Sequence, residues 1–119
     1  MTAADVQRWL DAYIAAWSGY DRAEIVALFT DDASYRYDAF SEPLVGGAAI
    51  AADWLEDPDA EGSWEAEYRP FAVDGDRAVA VGETRYPPEG KRYANVYLLE
   101  FADDGRCSSF TEWNFRAPS

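Results

Sequence analysis

Three amphipathic helices followed by a long run of strands and turns predict an α+β domain with its helices packed on one face of a curved sheet. Two observations carry that class. Apolar residues recur at helical spacing through the first half of the chain, and from Ser63 onward they sit in strand-like runs punctuated by turn signals. At 119 residues, with 49% apolar and 16% aromatic content, the chain is one domain, 1–119, able to bury a core without disulfides or metal.

Val6, Trp9, Leu10, Tyr13 and Trp17 form the stripe of a first helix, over about residues 3–18. Thr2 with Asp5 has the form of a capping box, and Gly19 supplies a stop. A second helix opens at Asp21, with Glu24 three residues on, turns Ile25, Leu28 and Phe29 inward and ends at TDD. ASYRYDAF then alternates as a strand, with Tyr35 and Tyr37 on one face and Arg36 and Asp38 on the other. After the turn-rich SEPLVGG, a third helix runs through AAIAADWLED until Pro58 stops it, and DPDAEG reads as a solvated acidic loop. The rest is a four-stranded antiparallel meander: SWEAEYRPFAV, RAVAVGETRY, KRYANVYLLEF and RCSSFTEWNF, separated by Asp74-Gly75, PPEG and ADDG.

The charge of -13, from 23 acidic against 10 basic residues, repels phosphate backbones and anionic headgroups, so neither nucleic acid nor a membrane surface is an expected partner. One cysteine, Cys107, and no histidine exclude an intramolecular disulfide, a Cys/His zinc cluster and every Ser-His or Cys-His nucleophile pair. No apolar run approaches the roughly 20 residues that span a bilayer, and MTAADVQR lacks the form of a secretory leader, so a cytoplasmic protein is expected.

VQRWLDAYIAAW, GYDRAEIVALFTDDASYRY and SEPLVGGAAI, together with the closing EWNF, resemble the nuclear transport factor 2-like superfamily over nearly the whole chain. Within it the chain looks most like ketosteroid isomerases, SnoaL-like polyketide cyclases and limonene-epoxide hydrolases. The resemblance implies a cone: a curved mixed sheet of one N-terminal strand plus the meander, wrapped around three helices and enclosing an apolar cavity. It also places Glu112 facing inward.

Alternation collects the candidate site. Glu112 shares a strand face with Phe110 and Asn114. Tyr35 and Tyr37 are expected inward, as are Val81, Glu83 and Arg85 of VGETRY. Tyr97 and Leu99 come from the next strand, and Tyr13 and Trp17 from the first helix. Set against the isomerase pattern, Tyr13 matches the oxyanion-hole tyrosine, but Tyr37 and Tyr97 stand where two catalytic aspartates belong. Set against the epoxide hydrolase pattern, Tyr35 and Glu112 match, Tyr37 replaces an asparagine, and Glu83 and Arg85 form the charge pair in reversed order. SnoaL-like cyclases usually employ a histidine, which this chain lacks.

The functional expectation is a cofactor-free and metal-free enzyme acting on an apolar, oxygenated small molecule. Glu112 transfers a proton, with Glu83 beside it, while Arg85 and Tyr13, Tyr35 or Tyr37 stabilise oxyanion charge. Tyr97, Leu99, Phe110, Asn114 and Trp17 would bind substrate. The rival is a non-catalytic ligand-binding or dimerisation module of the same fold, in which Glu83 and Arg85 are a surface ion pair and Tyr13 is core packing. Thr111, Trp113 and Phe115 fall on the outer sheet face, and that apolar area predicts a homodimer.

Overall fold

The computed structural model describes residues 1–118. Helices α1 (Ala3–Gly19), α2 (Arg22–Ala27) and α3 (Gly47–Glu56) pack against one face of a curved, open sheet. Its strands are β1 (Phe29–Arg36), β2 (Leu44–Val45), β3 (Glu65–Asp74), β4 (Arg77–Tyr86), β5 (Lys91–Phe101) and β6 (Cys107–Arg116). They lie in the order β2-β1-β6-β5-β4-β3, with β1 parallel to β6 and every other pair antiparallel. Among the described residues no helix is long and apolar enough to cross a membrane.

The capping box of α1 forms as its sequence dictates: the Thr2 hydroxyl accepts from the Asp5 amide at 3.1 Å, and the Asp5 carboxylate accepts from the Thr2 amide at 2.9 Å. The helix stops one residue later than Gly19 suggests. Tyr20 takes the left-handed conformation, φ 48°, and its amide donates to the Ala16 carbonyl. A tyrosine there is held by its far end, since its hydroxyl accepts from the Asp59 amide at 2.8 Å.

Two elements depart from expectation. Phe29 belongs to β1 and not to α2, because its backbone pairs with Cys107 of β6 while its ring enters the core; the TDD run is therefore strand and not a stop. Leu44 and Val45, inside the stretch read as turn, form a short strand against Tyr35 and Ser34. Both pairings are long-range or edge contacts that local turn chemistry does not announce.

The core lies between α1 and the concave sheet face. Val6, Leu10, Ile25 and Ile50 are fully buried. Burying side chains of this size is worth roughly 1.5–3 kcal/mol each. Around them Phe110 stacks on Tyr35 with centroids 4.4 Å apart, and Tyr13 stacks on Phe110 at 5.5 Å. The Trp9 indole donates to the Leu28 carbonyl at 3.0 Å.

Register fixes which side chains face inward. Cross-strand pairs Ala80↔Tyr97, Gly82↔Asn95, Thr84↔Tyr93 and Tyr97↔Glu112 share the concave face. On β4 that face therefore carries Ala78, Ala80, Gly82 and Thr84, and the convex face carries Val79, Val81, Glu83 and Arg85. The expectation that Val81, Glu83 and Arg85 face the cavity is thus reversed. Bulky rings from β3, β5 and α1 fill the concave side, and only small residues fit opposite them. A Cβ on Gly82 would lie 1.9 Å from the Glu67 carbonyl oxygen and 2.7 Å from the Tyr68 ring.

The sheet does not close. Its margins are β2, two residues long, and β3, where the pairing with β4 shifts between Pro70 and Ala72 so that Phe71 stands out at a bulge.

Candidate functional site

One end of the concave face opens into a cavity of about 740 Å³. The sheet contributes Tyr35, Thr84, Tyr86, Lys91, Tyr93, Asn95, Tyr97, Glu112 and Asn114 to its wall. Helix α1 and its cap contribute Tyr13, Trp17 and Tyr20. Tyr37 follows β1, and Asp53, Trp54, Glu56, Asp57 and Asp59 come from α3 and the loop after it.

Glu112 of β6 lines this cavity beside Tyr35, Tyr97 and Asn114. It is half-buried, with its accessible part on the cavity. Among the described residues no cation pairs with it; the Asn95 amide donates to its Oε2 at 3.3 Å. Asn95 is held in turn. Its carbonyl accepts from the Thr84 hydroxyl at 2.8 Å, the Thr84 hydroxyl meets that of Tyr68, and its amide also donates to Asn114. Loss of hydration pushes the Glu112 carboxyl from 4.5 up to about 7, with the hydrogen bonds of Asn114 and Asn95 pulling the other way.

The tyrosines behave oppositely in role. Burial holds the Tyr13, Tyr35 and Tyr97 hydroxyls well above their ordinary value, so they stay protonated and available as donors at neutral pH. The Tyr13 and Tyr35 hydroxyls lie 3.4 Å apart. Tyr37 is half-exposed and its hydroxyl donates to the Asp53 carboxylate, which leaves it committed.

Of the residues expected from sequence, Glu112, Tyr13, Tyr35, Tyr37, Tyr97, Asn114 and Trp17 share this cavity. Arg85 and Glu83 do not. On the convex face, the Arg85 guanidinium meets Glu83 and Glu65 at 3.5 Å and Glu67 at 3.6 Å, and Glu83 also meets Arg92 at 3.3 Å. Leu99 and Phe110 are buried in the core and do not line the cavity, Phe110 packing against Trp9 and Tyr13 of α1. Asn95 and Thr84 were missed by sequence reasoning, although Asn95 stands between Tyr93 and Tyr97 with their parity. The acidic cavity wall after α3 was missed as well, because DPDAEG reads as a solvated loop.

The SnoaL-like domain family model matches residues 10–110. The chain belongs to the SnoaL-like domain family. No curated protein matches this SnoaL-like domain. Similar solved structures include a Kribbella flavida protein provisionally assigned as a ketosteroid isomerase: 24% identity, TM-score 0.75, covering 98% of this chain and 82% of that one. An NTF-2-like protein of unknown function from Burkholderia xenovorans has 21% identity and TM-score 0.72, covering 98% of this chain and 89% of that one. An LEH-like epoxide hydrolase of M. tuberculosis has 20% identity and TM-score 0.66, covering 95% of this chain and 84% of that one. At these identities the likeness is one of fold, and the chemistry of this SnoaL-like domain rests on its own cavity.

Proposed function

We propose that this SnoaL-like domain is a cofactor-independent enzyme that moves a proton on an apolar, oxygenated small molecule, with Glu112 as the acid-base group. The observation that carries this reading is a carboxylate with no cationic partner among the described residues, set among tyrosines in a cavity that admits a small molecule, and poised near neutrality. At pH 7 such a group is present in both protonation states, so it can take a proton and return it. The Tyr13 and Tyr35 hydroxyls are the donors best placed in this reading to stabilise charge on a substrate oxygen. Arg85 has no part in it. Asn95 is a positioning residue, fixing the carboxylate through the Thr84 hydrogen bond.

Isomerisation, aldol-type cyclisation and dehydration share one first step under this scheme. Glu112 removes a proton from the carbon beside a carbonyl while the tyrosine hydroxyls donate to the developing enolate oxygen. Water addition uses the same carboxylate to take a proton from water. The test is deuterium wash-in from D₂O at the α-carbon of a panel of cyclic ketones, comparing wild type with Glu112→Gln. Exchange that vanishes in the variant while the ketone still binds supports the proposal. Binding without exchange in the wild type points to the ligand-binding module. A cytoplasmic setting is part of the proposal.

A further inference from the structure

The hydrogen bonds that reach Glu112 begin outside the cavity. Register sets Tyr68 of β3, Gly82 of β4, Asn95 of β5 and Asn114 of β6 opposite one another, in a single row across four strands of the concave face. Gly82 has no side chain to hold the Tyr68 ring off β4, and a Cβ there would meet that ring at 2.7 Å. The ring therefore crosses the strand, and its hydroxyl reaches the Thr84 hydroxyl at 2.5 Å. Thr84 meets the Asn95 carbonyl at 2.8 Å, and the Asn95 amide meets Asn114 and, at 3.3 Å, Glu112. Tyr68, Thr84 and Asn95 are all buried, but of the three only Thr84 and Asn95 line the cavity.

This chain of hydrogen bonds runs in one direction. The Asn95 nitrogen faces two acceptors, the Glu112 carboxylate and the Asn114 carbonyl, so it is the Asn95 oxygen that Thr84 meets. A threonine hydroxyl has one proton, and here that proton goes to the Asn95 oxygen. Between Tyr68 and Thr84 the tyrosine is therefore the donor. Burial pushes the Tyr68 hydroxyl up to about 12, so it keeps its proton throughout the range in which Glu112 titrates. Turned round, the Asn95 amide would set its carbonyl against an anion and against a second carbonyl.

We propose that Tyr68, which lies outside the cavity, is a positioning residue: through Thr84 it locks the Asn95 amide with its N–H toward Glu112, and so sets how firmly that carboxylate holds a proton. This deepens the proton-transfer reading of the same cavity and rests on it for the reaction being tuned. The other titratable groups around Glu112 are Tyr13 of α1, Tyr35 of β1, Tyr37 just after it, Tyr86 of β4 and Tyr97 of β5, each raised by burial and neutral at pH 7. The charged groups of the cavity wall are Glu89 and Lys91 at the β4–β5 turn and Asp53, Glu56, Asp57 and Asp59 of α3 and its following loop. Among the described residues none of these six bonds to Glu112, so their field is the same in any variant of Tyr68 or Thr84.

The test follows the Glu112 carboxyl by ¹³C NMR against pH in the wild type, Tyr68→Phe, Thr84→Val and Thr84→Ser. Thr84→Val keeps shape and frees the Asn95 amide to turn, so the midpoint is expected to rise by about one pH unit, the worth of one hydrogen bond to a charged group. Tyr68→Phe keeps the ring and removes only the first donor, so a rise of roughly 0.3 unit is expected. Thr84→Ser restores the hydroxyl and should return the midpoint to that of the wild type. A Tyr68→Phe chain that fails to fold is replaced by one with 3-fluorotyrosine at position 68, a stronger donor of nearly the same shape, which should lower the midpoint. A midpoint indifferent to the change at Tyr68, a shift of opposite sign, or a Thr84→Ser midpoint displaced as far as that of Thr84→Val would overturn the proposal and leave the three residues as buried polar groups that only satisfy one another. The titration needs no substrate, so it separates the two readings. A midpoint set by Tyr68 in a chain that shows no deuterium wash-in keeps the tuning and discards the enzyme; wash-in lost in Glu112→Gln, with a midpoint blind to Tyr68, does the reverse. Where both hold, the acidic limb of the wash-in pH profile moves with the midpoint.

Discussion

Glu112 has a free-energy signature that needs no substrate. Its folded pKa, about 7, lies above the 4.5 of the unhindered group, so between those values the folded chain binds more protons than the unfolded one. The contribution of this group to stability therefore falls as pH rises through that window, and the whole penalty is present above it. Glu112→Gln should match the wild type near pH 4 and exceed it at pH 8, by up to about 3 kcal/mol before solvent at the cavity mouth is allowed for. Urea melts at the two pH values check this; a variant less stable at pH 8 would mark the carboxylate as structural. Asn95→Ala removes a donor that favours the charged form, so the Glu112 titration, followed by ¹³C NMR of its carboxyl, should move to higher pH.

Among the elements, β4 shows where sequence reasoning runs out. RAVAVGETRY alternates Ala with Val, and nothing local says which set faces the core, since valine is the better hydrophobe and alanine the smaller one. The rings of Tyr68 and Tyr97 decide it, and they arrive from neighbouring strands. Helix α1 was legible because its stripe and capping box are local, whereas the inward direction of Glu112 came from the family resemblance, since the alternation of β6 alone fits either face. Arg85 was misplaced by one strand parity, and with that slip went the guanidinium expected to stabilise oxyanion charge in the cavity. The acidic wall was missed because its meaning depends on the cavity, not on its own sequence. Gly82→Ala tests the β4 assignment: a methyl group aimed at the Glu67 backbone should cost roughly 1–3 kcal/mol in chemical denaturation.

At the scale of the whole molecule, the convex sheet face sets Trp113 and Phe115, 41% and 59% exposed, beside half-buried Val96 and Leu98. We propose that two copies of the chain cover this face. With -13 on each chain, such pairing works against long-range repulsion, so it should strengthen as salt is added. Light scattering is expected to give a dimer at micromolar concentration in 0.3 M salt, and Trp113→Arg to give a monomer; a wild-type monomer under those conditions rejects the dimer. The open margins of the sheet carry a different consequence. A long exposed strand is an invitation for another chain to add to it, yet β3 has no amide hydrogen at Pro70, a bulge beside it and the charges of Glu65, Glu67 and Arg69 along its length. At the opposite margin, β2 is too short to template anything. Copies of this protein can meet face to face without being drawn into ribbons, and a fold that must keep one end of its sheet open for a cavity is thereby spared growth into fibres.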